Sequence, residues 1–209
     1  MSSKRKVAYL DWSGDPGVRQ VAGASDELVV VVAIVAEPNL MEREFAALRK
    51  RLRMSPGTEF HFAKAAEAIR NVFFSRASTW SFEAVALVVP KSAISGLTSA
   101  RSGVGVIAAA AGALVADFPP GQLEGALLIV DAPDSDQPEV IQIAVAARRS
   151  LRAAGLKRGI EVRGYPADRQ AGLQLADMLA GAIAKREAGE ADCLAHLDQK
   201  IRVLRWQAK

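Results

Sequence analysis

The chain is poor in the residues that build disulfide-stapled or zinc-held proteins. Its 209 residues include one cysteine, Cys193, and two histidines, His61 and His196. A single thiol excludes a disulfide framework within the chain and any cysteine zinc cage. Two imidazoles exclude a histidine-rich metal site. Long hydrophobic runs are missing as well: the longest apolar stretch, 104–116, falls short of the about 20 residues that span a bilayer. The opening MSSKRK is basic and leads directly into a strand-like run, without the apolar core of a signal peptide. The expectation is a cytoplasmic protein with no membrane partner. No Ser/Gly linker, fixed-period repeat or low-complexity tract interrupts the sequence, which predicts a single domain over 1–209. Half of the residues are hydrophobic, enough for a chain of this length to bury a sizeable core.

Lys and Arg outnumber Asp and Glu by 27 to 23, for a net charge of +4 and a pI near 9.4. Basic residues gather at RKRLR (49–53), RRSLR (148–152), LKR (156–158) and the tail IRVLRWQAK. Such patches attract polyanions, because neutralising phosphates releases counterions. They are equally what solvated helix faces and ends look like.

Apolar periodicity gives the elements. Val7–Asp11 is a short strand stopped by SGDPG, and Leu28–Ala36 a buried strand, its hairpin partner. Met41, Phe45, Leu48 and Leu52 recur at helical spacing and end before Ser55. An extended piece at 60–62 leads into a helix over 63–76, followed by a strand over 82–89. An Ala-rich helix over 104–118 stops at Pro119 and Pro120; it could be core or contribute to a homodimer face. Strand 126–131, helix 138–154, strand 159–165 and helix 171–185 complete the series. Strands alternating with helices after an opening hairpin indicate an α/β layer fold with a mixed sheet.

Three acids lie where core packing alone does not explain them. Asp11 ends the first strand in YLDWSGDPG, and Asp131 ends ALLIVD. Groups just beyond strand ends line the usual ligand crevice of α/β sheets, although an Asx-turn or helix cap is the structural alternative. Asp177 stands in AGLQLADMLAGAIA, a segment apolar almost all round, on one stripe with Gln170 and Gln174. A carboxylate there must be solvated, paired or bound to a cation; the structural alternative is a salt bridge to a core arginine. Gly181, one turn on, is expected to leave open space beside it. In EFHF, alternation puts Glu59 and His61 on one face and Phe60 and Phe62 on the other. That pattern suits a half-exposed site wall or a plain edge strand. Carboxylates with at most one imidazole favour Mg²⁺ or Mn²⁺ over zinc, and two such ions can clamp both oxygens of a phosphodiester displacement. No GxSxG is present, and GVGV at 103–106 lacks the spacing of a phosphate-cradling glycine loop.

Three motifs carry a resemblance to a known family. YLDWSGDPG is similar to an opening strand with an Asp-x-Ser-Gly-Asp turn, EFHF to a Glu-x-His element, and LQLADMLAGAI to a Gln-Leu-Ala-Asp helix. In this order, with the Asp131 strand between the last two, the chain resembles domain of unknown function 3800 over about 7–185. The resemblance implies a ribonuclease H-like fold. Its central mixed sheet would have three antiparallel strands first and later strands parallel to the first. It further implies a metal-dependent nuclease acting on nucleic acid, with Mg²⁺ or Mn²⁺ held by Asp11, Glu59, Asp131 and Asp177. Asp11 would bridge two ions, Asp131 and Asp177 would each hold one, and Glu59 would complete the second. Asp15, Ser13 and His61 would be near neighbours, His61 orienting water or shuttling a proton.

The residue after the first Asp is commonly Glu in that family and is Trp12 here. Trp12 could stack on a base or pack against a helix. Its presence motivates an alternative: a catalytically inactive nucleic-acid-binding module, or subunit of a defence or mobile-element system, binding through Arg148, Arg149 and Arg152. A small-molecule phosphohydrolase is the third possibility.

Overall fold

The computed structural model describes residues 5–17, 25–100, 102–119, 121–190 and 193–207. The apolar run before Asp11 forms β1 (Val7–Ser13), and the β-branched run forms β2 (Glu27–Val35). They pair antiparallel, from Val7 opposite Val35 to Ser13 opposite Val29. Gly14 leaves β1 at φ +94°, where a Cβ would stand 2.3 Å from the Glu27 carbonyl oxygen. Glycine is the residue that turn requires. Helices α1 (Pro38–Arg51) and α2 (Glu67–Ala77) follow, then β3 (Phe82–Pro90), the single turn α3 (Ile94–Leu97) and α4 (Gly103–Asp117). The second half runs β4 (Leu127–Asp131), α5 (Pro138–Ala153), β5 (Glu161–Tyr165), α6 (Ala171–Glu187) and β6 (Ile201–Arg205).

The six strands form one sheet in the order β5-β4-β1-β2-β3-β6. β2 is antiparallel to β1 and β3, while β4 joins β1, β5 joins β4 and β6 joins β3 in parallel. This is the mixed α/β sheet expected. Two differences stand out. The tail read as a basic cluster is the edge strand β6, whose Ile201 and Val203 pack on one core and Leu204 and Trp206 on the other. Helix α2 starts at Glu67 rather than at 63: Lys64 and Ala65 donate to the His61 carbonyl in an isolated turn, and Ala66 is extended, at ψ 154°.

Alternation divides the strands between two cores. Tyr9, Val29, Val31 and Ala33 pack under α1, α2 and α6, while Leu10, Leu28, Val30 and Val32 pack under α4 and α5. On the first side Phe45 is the hub of an aromatic cluster, with Phe60 and Phe73 edge-on at 5.6 and 5.5 Å and Trp80 at 4.9 Å. On the second, Val106, Ile107, Ala110, Ala111 and Leu114 of α4 are buried. The apolar face that could have served a homodimer is thus consumed by the chain's own core. Among the described residues no helix is long and apolar enough to cross a membrane.

Candidate active site

The parallel register of β1 and β4 brings two of the acids together. Leu10 pairs with Val130, so the next positions, Asp11 and Asp131, lie side by side at the same ends of neighbouring strands. Leu10 and Val130 point into the α4–α5 core, and alternation therefore turns both aspartates toward α6. From α6, Asp177 faces them. The Asp131 Oδ1 accepts the Ala167 N–H at 2.9 Å, which ties the end of β4 to the turn entering α6. The Asp177 Oδ2 accepts the Phe62 N–H at 2.7 Å and lies 3.4 Å from His61 Nδ1. Among the described residues no core arginine pairs with Asp177. A backbone N–H and an imidazole stand in its place.

The EFHF segment forms no regular strand, and Phe62 already lies in a turn, but burial alternates as expected: Phe60 and Phe62 are buried, while Glu59 and His61 are half-buried. It is bound to α6 rather than to a strand. Gln174 Oε1 accepts the Phe60 N–H at 3.0 Å, one residue pair before the Phe62–Asp177 bond. The space beside Gly181 is not open. A Cβ there would stand 2.3 Å from Cγ of Phe62, whose ring fills the position. Gly172 similarly admits the Tyr9 ring, again at 2.3 Å. Two glycines let α6 lie close to β1 and to EFHF, and so bring Asp177 to the sheet.

These acids repel one another. Burial raises the Asp11 carboxyl well above its ordinary 3.8, and the charges of Asp177, Asp131 and Glu59 push it further, against one opposing bond from the Trp12 N–H. Asp131 is raised by burial, with Asp168 adding and the Ala167 N–H and His61 opposing. Asp177 is raised by burial and by Asp131, against the Phe62 N–H, His61 and Lys64. Carboxylates in mutual range with so little compensating charge suit a hard divalent cation. His61 Nδ1, buried without a hydrogen-bond partner, is a further polar atom left unsatisfied at the same place. The donor chemistry fits Mg²⁺ or Mn²⁺, although among the described residues no three His, Cys, Asp or Glu side chains converge as a finished cage.

Other expectations resolve differently. Asp15 is turned to Lys91, whose buried ammonium it meets at 2.8 Å. Its job is to anchor the turn after β1 to the end of β3. Trp12 packs against the α4–α5 core, on the face opposite Asp11. Arg148, Arg149 and Arg152 lie in the second half of α5. That helix returns from the Asp131 end of β4 to the start of β5, so the cluster stands at the far end of the strands and on the other face. Arg148 Nε is bonded to the Ile160 carbonyl at 3.1 Å. A cavity of about 720 Å³ also opens at that far end, lined by Val85, Val115, Phe118 and Leu151 among others. Its polar rim is internally paired, Gln122 with Glu83 and Arg202 with Asp117, and it offers nothing to the carboxylates. The contributions of Arg49 and of the Ala167 N–H had no local signal in sequence; Gln174 had one, its place on the Asp177 stripe.

No protein-family model matches the chain, and no curated protein matches it in sequence. Solved structures do. Ribonuclease HII of Archaeoglobus fulgidus, in its complex with PCNA, superposes with a TM-score of 0.57 at 14 % identity, over 88 % of this chain and 74 % of that one. Ribonuclease H2 of Pyrococcus horikoshii gives 0.55 at 17 % identity, over the same 88 % and 74 %. With its sheet order, its helix layers and this likeness, the fold is ribonuclease H-like.

Proposed function

We propose that the chain is a divalent-metal-dependent phosphodiester hydrolase acting on nucleic acid, related to domain of unknown function 3800. The observation that supports the reading is the placement of Asp11 and Asp131 at the same ends of neighbouring strands, with Asp177 and Glu59 near enough to add to the effect of burial in raising Asp11. Neighbours of the same fold are ribonucleases, and the three motifs read in sequence supply Asp11, Glu59 and Asp177, with Asp131 on the strand between the last two.

Asp11, Asp131, Asp177 and Glu59 would hold Mg²⁺ or Mn²⁺. A bound ion supplies a water acidified toward neutrality and neutralises charge on the phosphate. The chain's own groups do the rest. His61 Nδ1 lies 3.4 Å from Asp177 Oδ2, and the imidazole side chain is 32 % exposed. His61 can therefore take a proton from the attacking water or give one to the leaving oxygen. Lys64, close enough to lower the Asp177 carboxyl, and Arg169, exposed on the turn before α6, are the cations available to draw a phosphate in. Trp12, which packs against the α4–α5 core where the resembled family commonly carries Glu, favours one second reading, a nucleic-acid-binding module without turnover.

Cleavage of labelled single- and double-stranded DNA, RNA and RNA–DNA hybrids in Mn²⁺ separates the two. The hydrolase should cut at least one substrate, and Asp11→Asn and Asp131→Asn should each lower the rate by roughly 10²-fold or more, as loss of a transition-state contact does. Retained affinity with no cleavage by the wild type under any divalent ion would establish the binding module instead.

A further inference from the structure

The carboxylates come from four separate parts of the chain, and something must fix their spacing. One buried amide reaches the supports of two of them. Gln174 is 1 % exposed. Its Oε1 accepts both the Phe60 N–H at 3.0 Å and Arg49 Nη2 at 2.8 Å, and its Nε2 donates to the Ala167 carbonyl at 2.9 Å. With two donors on one side and a carbonyl on the other, only this orientation of the amide satisfies every partner. Ala167 in turn gives its N–H to Asp131. The side chain therefore joins the Glu59–His61 segment to Ala167, the residue whose N–H holds the Asp131 end of β4.

Arg49 makes the link stiff. It is buried, with its guanidinium 5.4 Å from the Phe60 ring and 5.8 Å from Phe45. Its Nε donates to the Thr58 carbonyl at 2.6 Å. Its hydrogen bonds go to two neutral acceptors, the Thr58 carbonyl and the Gln174 amide. The peptide units on both sides of Glu59 are thereby fixed, one by Arg49 and one by Gln174. On the far side of His61, Asp177 holds the Phe62 N–H and Arg70 Nε holds the Phe62 carbonyl at 3.0 Å. A segment without a strand partner is held at four backbone atoms.

We infer that Gln174 and Arg49 are positioning residues: they set the distance of Glu59 and His61 from Asp131 and Asp177, and through it the cation affinity of the cluster, without touching cation or substrate. The inference rests on the hydrolase reading. Its test separates the two by measuring backbone order in the metal-free protein alongside Mn²⁺ binding. In Gln174→Met, hydrogen exchange over 58–62 should quicken by about tenfold or more while β1 and β2 keep their protection. Mn²⁺ affinity, read by calorimetry, should fall about 10- to 100-fold, the usual loss when a supporting contact is removed. Gln174→Glu keeps an oxygen acceptor for Phe60 and Arg49 but loses the donor to the Ala167 carbonyl, so protection over 58–62 should stay within about threefold of wild type while Mn²⁺ affinity still falls, because the link to the Asp131 end of β4 is cut.

Quickened exchange with unchanged Mn²⁺ affinity would show a merely structural clamp and overturn the inference. So would unchanged exchange in Gln174→Met, or wild-type affinity in Gln174→Glu. If Gln174→Met does not fold, Gln174→Glu decides by whether it keeps protection over 58–62 and loses Mn²⁺ affinity. Wild-type protein that binds no Mn²⁺ refutes the metal reading and the cation-affinity role with it, while exchange still reports whether Gln174 orders the segment.

Discussion

Asp11→Asn should make the metal-free protein more stable while removing its Mn²⁺-dependent activity. The Asp11 carboxyl is raised first by burial and then by Asp177, Asp131 and Glu59, so its ionised form opposes folding. Asparagine removes that charge and retains an oxygen for the Trp12 N–H, which Asp11 Oδ1 accepts at 2.8 Å. The expected gain is on the order of 1 kcal/mol, or roughly 2–4 °C in Tm for a chain of this size. Its pH dependence has a definite sign. A carboxyl raised on folding binds its proton more tightly in the folded state, so its penalty is full above the folded value and disappears below the unfolded one. The advantage of Asp11→Asn should therefore be greatest at neutral to alkaline pH and shrink as pH falls toward 3.8, the ordinary value from which Asp11 is raised. Thermal melts of both proteins from pH 8 to pH 4 in EDTA check this, and a variant less stable than wild type throughout would contradict it. Site residues that cost stability are expected where function needs frustrated charge.

Gly181→Ala should be among the most damaging single-methyl changes in the protein. Alanine in a helix ordinarily gains about 1 kcal/mol over glycine. Here its Cβ would lie 2.3 Å from Cγ and 2.6 Å from Cβ of Phe62. Those are the root of the side chain, not a flexible end, so the backbone of EFHF must move. Overpacking costs typically about 1–3 kcal/mol and occasionally more; with contacts this short the clash outweighs the propensity gain. A net loss of about 2 kcal/mol corresponds to roughly 4–8 °C in Tm. Because Phe62 also gives its N–H to Asp177, the variant should bind Mn²⁺ more weakly as well. Gly112→Ala on α4 is the control: its nearest neighbours are at 3.2 Å and it lies in the other core. It should change Tm little and Mn²⁺ affinity not at all. Equal melting points for Gly181→Ala and wild type would show that Phe62 can move freely.

Asp11 and Asp131 were legible because each ends a strongly apolar strand, where a charge has no packing role. Asp177 was legible because a carboxylate inside an apolar helix demands a partner, and Glu59 and His61 because alternation sets them apart from two phenylalanines. What escaped were contacts between distant parts of the chain. Nothing local announces that the Phe62 ring occupies the space beside Gly181, or that α6 holds EFHF by the Phe60 and Phe62 N–H groups. The basic runs left two readings open because charge density along the sequence carries no direction. RRSLR falls at the far end of α5, and in the tail Arg202 and Arg205 pair with Asp117 and Glu187. Strand β6 was hidden by the same arginines, which alternate with the Ile201, Val203 and Leu204 that build it.

The most direct test of the carboxylate centre is calorimetric titration of Mn²⁺ into wild type and Asp177→Asn. The substitution removes one charge from the cluster and leaves an oxygen for the Phe62 N–H, so the fold is kept. Saturable binding by wild type, abolished or weakened by at least about tenfold in Asp177→Asn, is the expected result. Identical binding isotherms for the two proteins would contradict a cation held between α6 and the strand ends.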